Sequence, residues 1–281
     1  MDSFKNCKVC NNELEVENKK FNLGKCKQCK LIFSLDYFSQ EDFIRVYDEL
    51  YNKKLTHYSK HSKNEFNDLI QNKKIKIGFN REKLIKKNIL NGSCKSVLEI
   101  GSGVGLIGSY IKSKNESIHY TGIELDEEAY KKSQRLGLNT IHADFKEMER
   151  LNEKYDVIML WEVLEHLQDL KSFIDLSYTK LNKNGKIILS TPNYDKIYNH
   201  PNRKKDQLFQ DEPPIHLNFF TTENIVNIFE VGKFTNCKVK VKKFPYVNFF
   251  NLAFYRDTFK SIFNNYHGST LYFEATKNSN F

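Results

Sequence analysis

No stretch of the chain reaches the run of about 18 apolar residues that a membrane-spanning helix needs. The opening residues, MDSFKNCKVC, lack the apolar centre of a secretory signal. Six cysteines without an export signal are expected to be reduced or bound to metal, and the expected compartment is the cytoplasm. No internal repeat recurs and no flexible Gly/Ser linker divides the chain, so a solenoid and a loosely tethered pair of domains are both set aside. What is present is enough for a core. Of the 281 residues, 40% are hydrophobic and 14% aromatic, which argues against wholesale disorder. The net charge is +9, but the lysines are scattered among asparagines. That pattern reads as compositional habit rather than a nucleic-acid surface, with a phosphate-bearing partner as the alternative.

Four of the cysteines crowd the first thirty residues as two CxxC pairs, Cys7 with Cys10 and Cys26 with Cys29. Each pair can set two thiolates on one side of a tight turn, and two such turns complete a tetrahedral zinc site. No βαβ pattern surrounds either pair, which argues against redox chemistry. Four thiolates leave no open position, so the zinc expected here is structural. Residues 1–35 are expected to form this ribbon and 36–93 a helical connector. In the connector, Ser39 and Asp42 form a capping box ahead of one helix, and a second helix is expected over roughly 62–90.

From residue 94 short apolar runs alternate with helical patterns: SVLEIG, HYTGIEL, NTIHADF, YDVIML and KIILSTPN are expected strands. The fold class is therefore α/β, a mostly parallel sheet with helices on both faces, binding ligand at the carboxyl ends of its strands. The first strand runs into EIGSGVG, with Gly101, Gly103 and Gly105. Leu106 stands where a dinucleotide-binding GxGxxG needs its third glycine. Glu99, just before the turn, would repel a pyrophosphate and suit an ammonium group. Glu124 ends the second strand, placed for two ribose hydroxyls, and Asp144 ends the third, placed for an adenine amino group. Together these describe S-adenosylmethionine.

With VLEIGSGVG, GIELD, HADF, YDVIMLWEVLEHL and LNKNGKIILSTPN in hand, residues 94–281 resemble the class I S-adenosylmethionine-dependent methyltransferases. The resemblance implies a Rossmann-like seven-stranded sheet ending in an antiparallel pair, which CKVKVKKF and STLYFEATK fit. It implies that Glu99 and Gly101 to Gly105 hold the methionine end of the cofactor, and Glu124 its ribose. Leu125, Asp144 and Phe145 would then frame the adenine. The aromatic insert at 247–266 is read as extra core, with a lid over the acceptor as the alternative.

Trp161 and Glu162 leave the fourth strand beside the expected sulfonium. If the chain turns helical there, Glu162, Glu165 and His166 share one face. His166 suits a general base, while two carboxylates and a histidine suit a hard cation. This E-x-x-E-H run resembles two branches, the ubiquinone-biosynthesis O-methyltransferases and the small-RNA 2′-O-methyltransferases. Both imply a divalent ion, magnesium or manganese, at Glu162, Glu165 and His166, and the RNA branch adds a later histidine, for which His216 is the candidate. Metal site, metal-free base and a purely structural role all stay open. The front half resembles, more loosely, bacterial methyltransferases acting on sugars and surface glycans. The chain ends too soon for the long extra domain of the sugar C-methyltransferases, so the expected reaction is O-methylation of a sugar, glycan precursor or similar small acceptor. RNA 2′-O-methylation and a non-catalytic cofactor-binding protein are the alternatives.

Overall fold

A computed structural model describes residues 3–39, 41–43, 64–71, 75–195, 213–242, 244–245, 249–250, 252–263 and 268–278. Three short strands open the chain: β1 (Leu14–Asn18), β2 (Leu23–Cys26) and β3 (Ile32–Ser34). The sheet of the main body follows with β4 (Ser96–Ile100), β5 (His119–Glu124), β6 (Thr140–His142), β7 (Tyr155–Trp161) and β8 (Leu181–Pro192). A two-residue strand, β9 (Asn218–Phe219), precedes β10 (Phe234–Val241) and β11 (Thr270–Lys277). Seven strands join in the order β10-β11-β8-β7-β4-β5-β6. The pairs among β4 to β8 are parallel, and β11 is antiparallel to both β8 and β10. This is the Rossmann-like class I sheet expected from the sequence.

The central strands are apolar on both faces because helices cover both. Successive side chains point to opposite sides, and the core divides accordingly. Leu98, Ile158, Leu160, Ile187 and Leu189 enter one cluster with Phe173, Phe229 and Phe273. Val97, Val157, Met159 and Ile188 enter the other with Ile85, Ile107 and Ile111. Helices among the described residues include α1 (Phe79–Asn88), α2 (Leu106–Lys114), α3 (Glu127–Arg135), α4 (Leu170–Lys180), α5 (Thr222–Val231) and α6 (Leu252–Ile262). Leu252, Tyr255, Phe259 and Ile262 of α6 are exposed, so the expectation that the aromatic insert adds to the core is not met at the described residues. Their starts are local. Asp126 caps α3 by accepting from the Ala129 N–H at 2.7 Å, and Thr221 and Asn224 close a capping box on α5.

Two expectations about the connector change. The capping box is present: Ser39 N–H donates to Asp42 at 3.0 Å and Asp42 N–H to Ser39 Oγ at 3.2 Å. Most of the helix it begins lies outside the described residues. The single helix expected over 62–90 is two, at 64–70 and α1, because Gly78 sits at φ +78 directly before α1 and breaks the helical path. In addition, α1 belongs to the main body: Asn88 and Lys87 both bond Glu274 on β11.

The four-cysteine segment does not stand apart either. Leu31 and Phe33 are fully buried in the same cluster as the sheet, at about 1.5–3 kcal/mol per buried side chain. β3 pairs with β9, so the small sheet β1-β2-β3-β9 is shared between the front segment and the main body.

Candidate functional site

The carboxyl ends of β4, β5 and β7 converge on one rim. There the chain leaves β4 through three glycines with positive φ, Gly101 (+69), Gly103 (+57) and Gly105 (+87). They serve different ends. A Cβ on Gly101 would lie 2.5 Å from Val163 Cγ2, and one on Gly105 would lie 2.4 Å from Leu138 Cδ1. A Cβ on Gly103 would meet nothing within 4 Å. The first and third glycines are therefore required by packing, and the second faces open space. Beside that space Glu124 is held by two backbone donors, Gly103 N–H at 2.6 Å and Asp126 N–H at 2.8 Å. Burial raises its pKa. Each carboxylate oxygen keeps acceptor capacity for a hydroxyl. Leu125, next in the chain, is 69% exposed.

Glu99 lies beneath the turn, fully buried, and accepts from Tyr120 Oη at 2.5 Å. Burial pushes its pKa up to about 8, against the Tyr120 hydrogen bond and the charge of Arg81. A buried acid in this state gains most from a cation brought beside it. Trp161 is buried, and its indole N–H has no acceptor among the described residues. A buried orphan donor beside an open rim fits a site completed by ligand. These features fit S-adenosylmethionine.

The sequence reading missed Arg81. It sits on α1, with its guanidinium 5.4 Å from the Trp161 ring and 4.0 Å from Glu162 Oε1, and its charge reaches Glu99. A lone arginine in the lysine-rich FNREKLIKKN was the available signal, since only arginine offers a planar fork for a carboxylate. Asp144 begins a short 3-10 helix, with Oδ1 accepting from Lys146 N–H at 2.7 Å. Phe145 follows Asp144 directly, and its ring is buried, edge-on to Phe173 at 5.6 Å.

The acids after β7 also separate. Glu162 N–H donates to the Ser190 carbonyl at 2.9 Å, which extends the strand pairing one residue past β7. The chain then turns sharply, with Glu162 at φ +56, a strained value for a residue with a side chain. No α-helix follows; a 3-10 turn spans Leu164–His166. Glu162 consequently does not share a face with the other two. Its carboxylate accepts from Ser190 Oγ at 2.6 Å, and burial raises its pKa.

Glu165, His166 and His216 do come together, with one ligand atom from each lying within 4.8 Å of the others. Glu165 is 2% exposed and accepts from Thr191 Oγ1 at 3.0 Å. His166 Nδ1 lies 2.7 Å from the Ile215 carbonyl. A carbonyl only accepts, so Nδ1 carries a hydrogen, and Nε2 lies 3.9 Å from Glu165 Oε1. The two imidazoles meet edge-on at 4.9 Å. The two residues after His216 anchor its backbone. Leu217 N–H donates to the Glu165 carbonyl at 2.7 Å, and Asn218 Nδ2 bonds the carbonyls of Leu164 and Leu167 at 3.0 and 2.8 Å.

A second cluster gathers Cys7, Cys10, Cys26 and Cys29. Cys7 and Cys29 sulfurs are 3.6 Å apart, and those of Cys10 and Cys26 are 3.4 Å apart. A tetrahedron of ~2.3 Å zinc–sulfur bonds has edges of about 3.8 Å. The two CxxC turns are alike. Asn11 N–H returns to the Cys7 carbonyl and Lys30 N–H to that of Cys26, and Asn11 and Lys30 both take positive φ. The donor set and its shape fit zinc.

A family profile described as "Methyltransferase domain" matches residues 52–238. The chain is 30% identical over 148 residues to the ubiquinone biosynthesis O-methyltransferase of Rickettsia prowazekii, covering 50% of this chain and 57% of that protein. Identity is also 30% over 129 residues to the enzyme of the same name from Pelagibacter ubique, covering 42% and 53%. The chain thus spans about half the length of these curated relatives. In fold it is similar to a SAM-dependent methyltransferase from Archaeoglobus fulgidus, with a TM-score of 0.52 and 19% identity over 70% of this chain and 94% of that one. With two-thirds of its length matched, the chain belongs to the methyltransferase-domain family, and its seven-stranded sheet is similar in fold to that solved SAM-dependent methyltransferase.

Proposed function

We propose that the protein transfers the methyl group of S-adenosylmethionine to a hydroxyl of a sugar, surface-glycan precursor or similar small acceptor. The observation that carries this reading is the Glu165–His166–His216 cluster at the end of β7, beside the glycine turn. S-adenosylmethionine supplies an electrophilic methyl group on its sulfonium. Glu124 would hold its ribose hydroxyls, Glu99 its ammonium and Arg81 its carboxylate, while Leu125 and Asp144 would border the adenine and Trp161 the methionine end. His166 Nε2 takes the hydroxyl proton, while the Ile215 carbonyl keeps the ring in the right tautomer. The O-methyltransferase names of the relatives favour an oxygen acceptor.

One carboxylate and two imidazoles also form a divalent-ion site. With Glu162 bonded to Ser190 instead, the set is richer in nitrogen than magnesium prefers, and manganese fits it better. There the ion would lower the acidity barrier of the hydroxyl in place of the base. The four cysteines hold a structural zinc in this reading.

Turnover with small hydroxylated acceptors tests the proposal. His166→Ala is expected to lower it by about 10²–10⁴ with cofactor affinity kept. Loss on chelation with recovery on manganese assigns the ion, and indifference to chelator assigns the free base. A fully active His166→Ala enzyme would overturn both.

A further inference from the structure

The edge strand β6 ends on a histidine to which neither the fold nor the transfer reaction has given a role. Three register pairs join β6 to β5: Thr140 with Gly122, Ile141 with Ile123 and His142 with Glu124. The His142 side chain is exposed, yet two contacts fix its ring. Nε2 lies 3.0 Å from the Leu125 carbonyl. A carbonyl only accepts, so Nε2 carries a hydrogen and donates it. The ring also stacks on Tyr130 of α3, with centroids 5.2 Å apart and planes inclined by 20°.

Both contacts land on the turn that holds the candidate ribose acid. Glu124 ends β5, Leu125 and Asp126 follow, and α3 begins at Glu127. The Glu124 carboxylate is held by the Asp126 N–H at 2.8 Å, and Asp126 caps α3. Tyr130 N–H returns to the Asp126 carbonyl at 2.9 Å, so the ring under His142 belongs to the first turn of that helix. From the other side, Ala143 N–H donates to the Glu124 carbonyl at 3.1 Å, and Asp144 comes next. His142 and Ala143 thus place two successive bonds across the gap between β5 and the loop after β6, one on Leu125 and one on Glu124.

An exposed hydrogen bond of this kind adds little to global stability, because water can replace either partner. Its effect is geometric. Leu125 and Asp144 are the two residues placed above beside the adenine, and they come from different strands. His142 bonds the backbone of the first and stands two residues before the second. A site that hydrogen-bonds an amino group rejects an analogue lacking it, provided the acceptor is held in place.

We infer that His142 is a positioning residue: by tying the Leu125 carbonyl to β6 it sets the slot between Leu125 and Asp144 and so sharpens selection for adenine. This deepens the cofactor reading above and rests on it. The full chain is titrated with S-adenosylhomocysteine and with S-inosylhomocysteine, in which an oxygen replaces the adenine amino group. The wild type is expected to prefer the adenine ligand by about tenfold or more. His142→Ala should reduce that preference about three- to tenfold, with the apoprotein melting temperature within about 2 °C of wild type. His142→Gln, whose amide N–H can reach the same carbonyl, should restore most of it. A merely structural role would weaken both ligands alike. Equal loss of the two ligands, an undiminished preference in His142→Ala, no rescue by His142→Gln, or a wild type without the preference would each overturn the inference and leave the cofactor reading standing. A wild type that binds neither ligand would overturn the cofactor reading itself, and this inference with it.

Discussion

Leu217 is bonded on both sides: its N–H donates to the Glu165 carbonyl at 2.7 Å, and its carbonyl accepts from Ser34 N–H at 3.0 Å. One residue thus ties β3 of the four-cysteine ribbon to the backbone of the candidate catalytic cluster. His216 immediately precedes it, so the ribbon fixes where that imidazole sits. A misplacement of about 1 Å near reacting atoms can cost on the order of 10² in rate. Cys26→Ser is expected to abolish zinc binding and lower turnover by about that factor, with S-adenosylmethionine affinity nearly unchanged. Leu217→Pro should lower turnover while keeping the zinc, since it breaks the bond to the Glu165 carbonyl and restricts His216 but changes no cysteine. Full activity in a folded, zinc-free Cys26→Ser protein would separate ribbon from site. Zinc content and turnover on the same sample decide the matter.

Glu99 should report cofactor binding as proton release. Its pKa of about 8 leaves it mostly protonated at pH 7. An ammonium group beside it favours the charged form, so binding is expected to release roughly 0.9 proton. Calorimetry in two buffers of different ionisation enthalpy measures this, and Glu99→Gln should remove it. The same shift acts on the apoprotein. A carboxyl with a raised folded pKa contributes stability in full below its unfolded value, and the contribution is lost as pH rises through about 8. Apoprotein melting temperature should therefore fall between about pH 5 and 8, and fall less in Glu99→Gln.

Glu124→Ala should weaken S-adenosylmethionine by one or more orders of magnitude. Two charge-assisted hydrogen bonds to ribose hydroxyls contribute about 1.5–3 kcal/mol each. Unchanged affinity in a folded variant would remove Glu124 from the cofactor site.

The glycines allow a test in which two similar changes part company. Gly103→Ala adds a methyl into open space at φ +57. The strain is about 1–2 kcal/mol, or roughly 2–8 °C in melting temperature, and cofactor binding should be badly impaired. Gly105→Ala meets Leu138 at 2.4 Å as well, so its melting temperature should fall further. Equal melting shifts would contradict the division of roles.

The strands, the glycine turn, the acids at Glu99 and Glu124 and the paired CxxC turns were all legible along the chain. Each depends on a local rule: alternation across a strand, positive φ at a glycine, or thiolate spacing within one turn. The face shared by Glu162, Glu165 and His166 was not. Helical spacing united them, but pairing of Glu162 with the Ser190 carbonyl keeps the chain extended one residue longer and sends its carboxylate to Ser190 Oγ. That partner lies 28 residues away.

Arg81 was missed for the same reason. Nothing near it in sequence hints at Trp161 or Glu162, which reach it only when α1 packs on the sheet. The sequence by itself determined the class of fold and the glycine turn, because local geometry and side-chain type set both. Only the tertiary structure decided which acid joins the histidines and that the ribbon bonds the backbone beside His216. Those outcomes follow from long-range hydrogen bonds and packing, which periodicity along the chain does not encode.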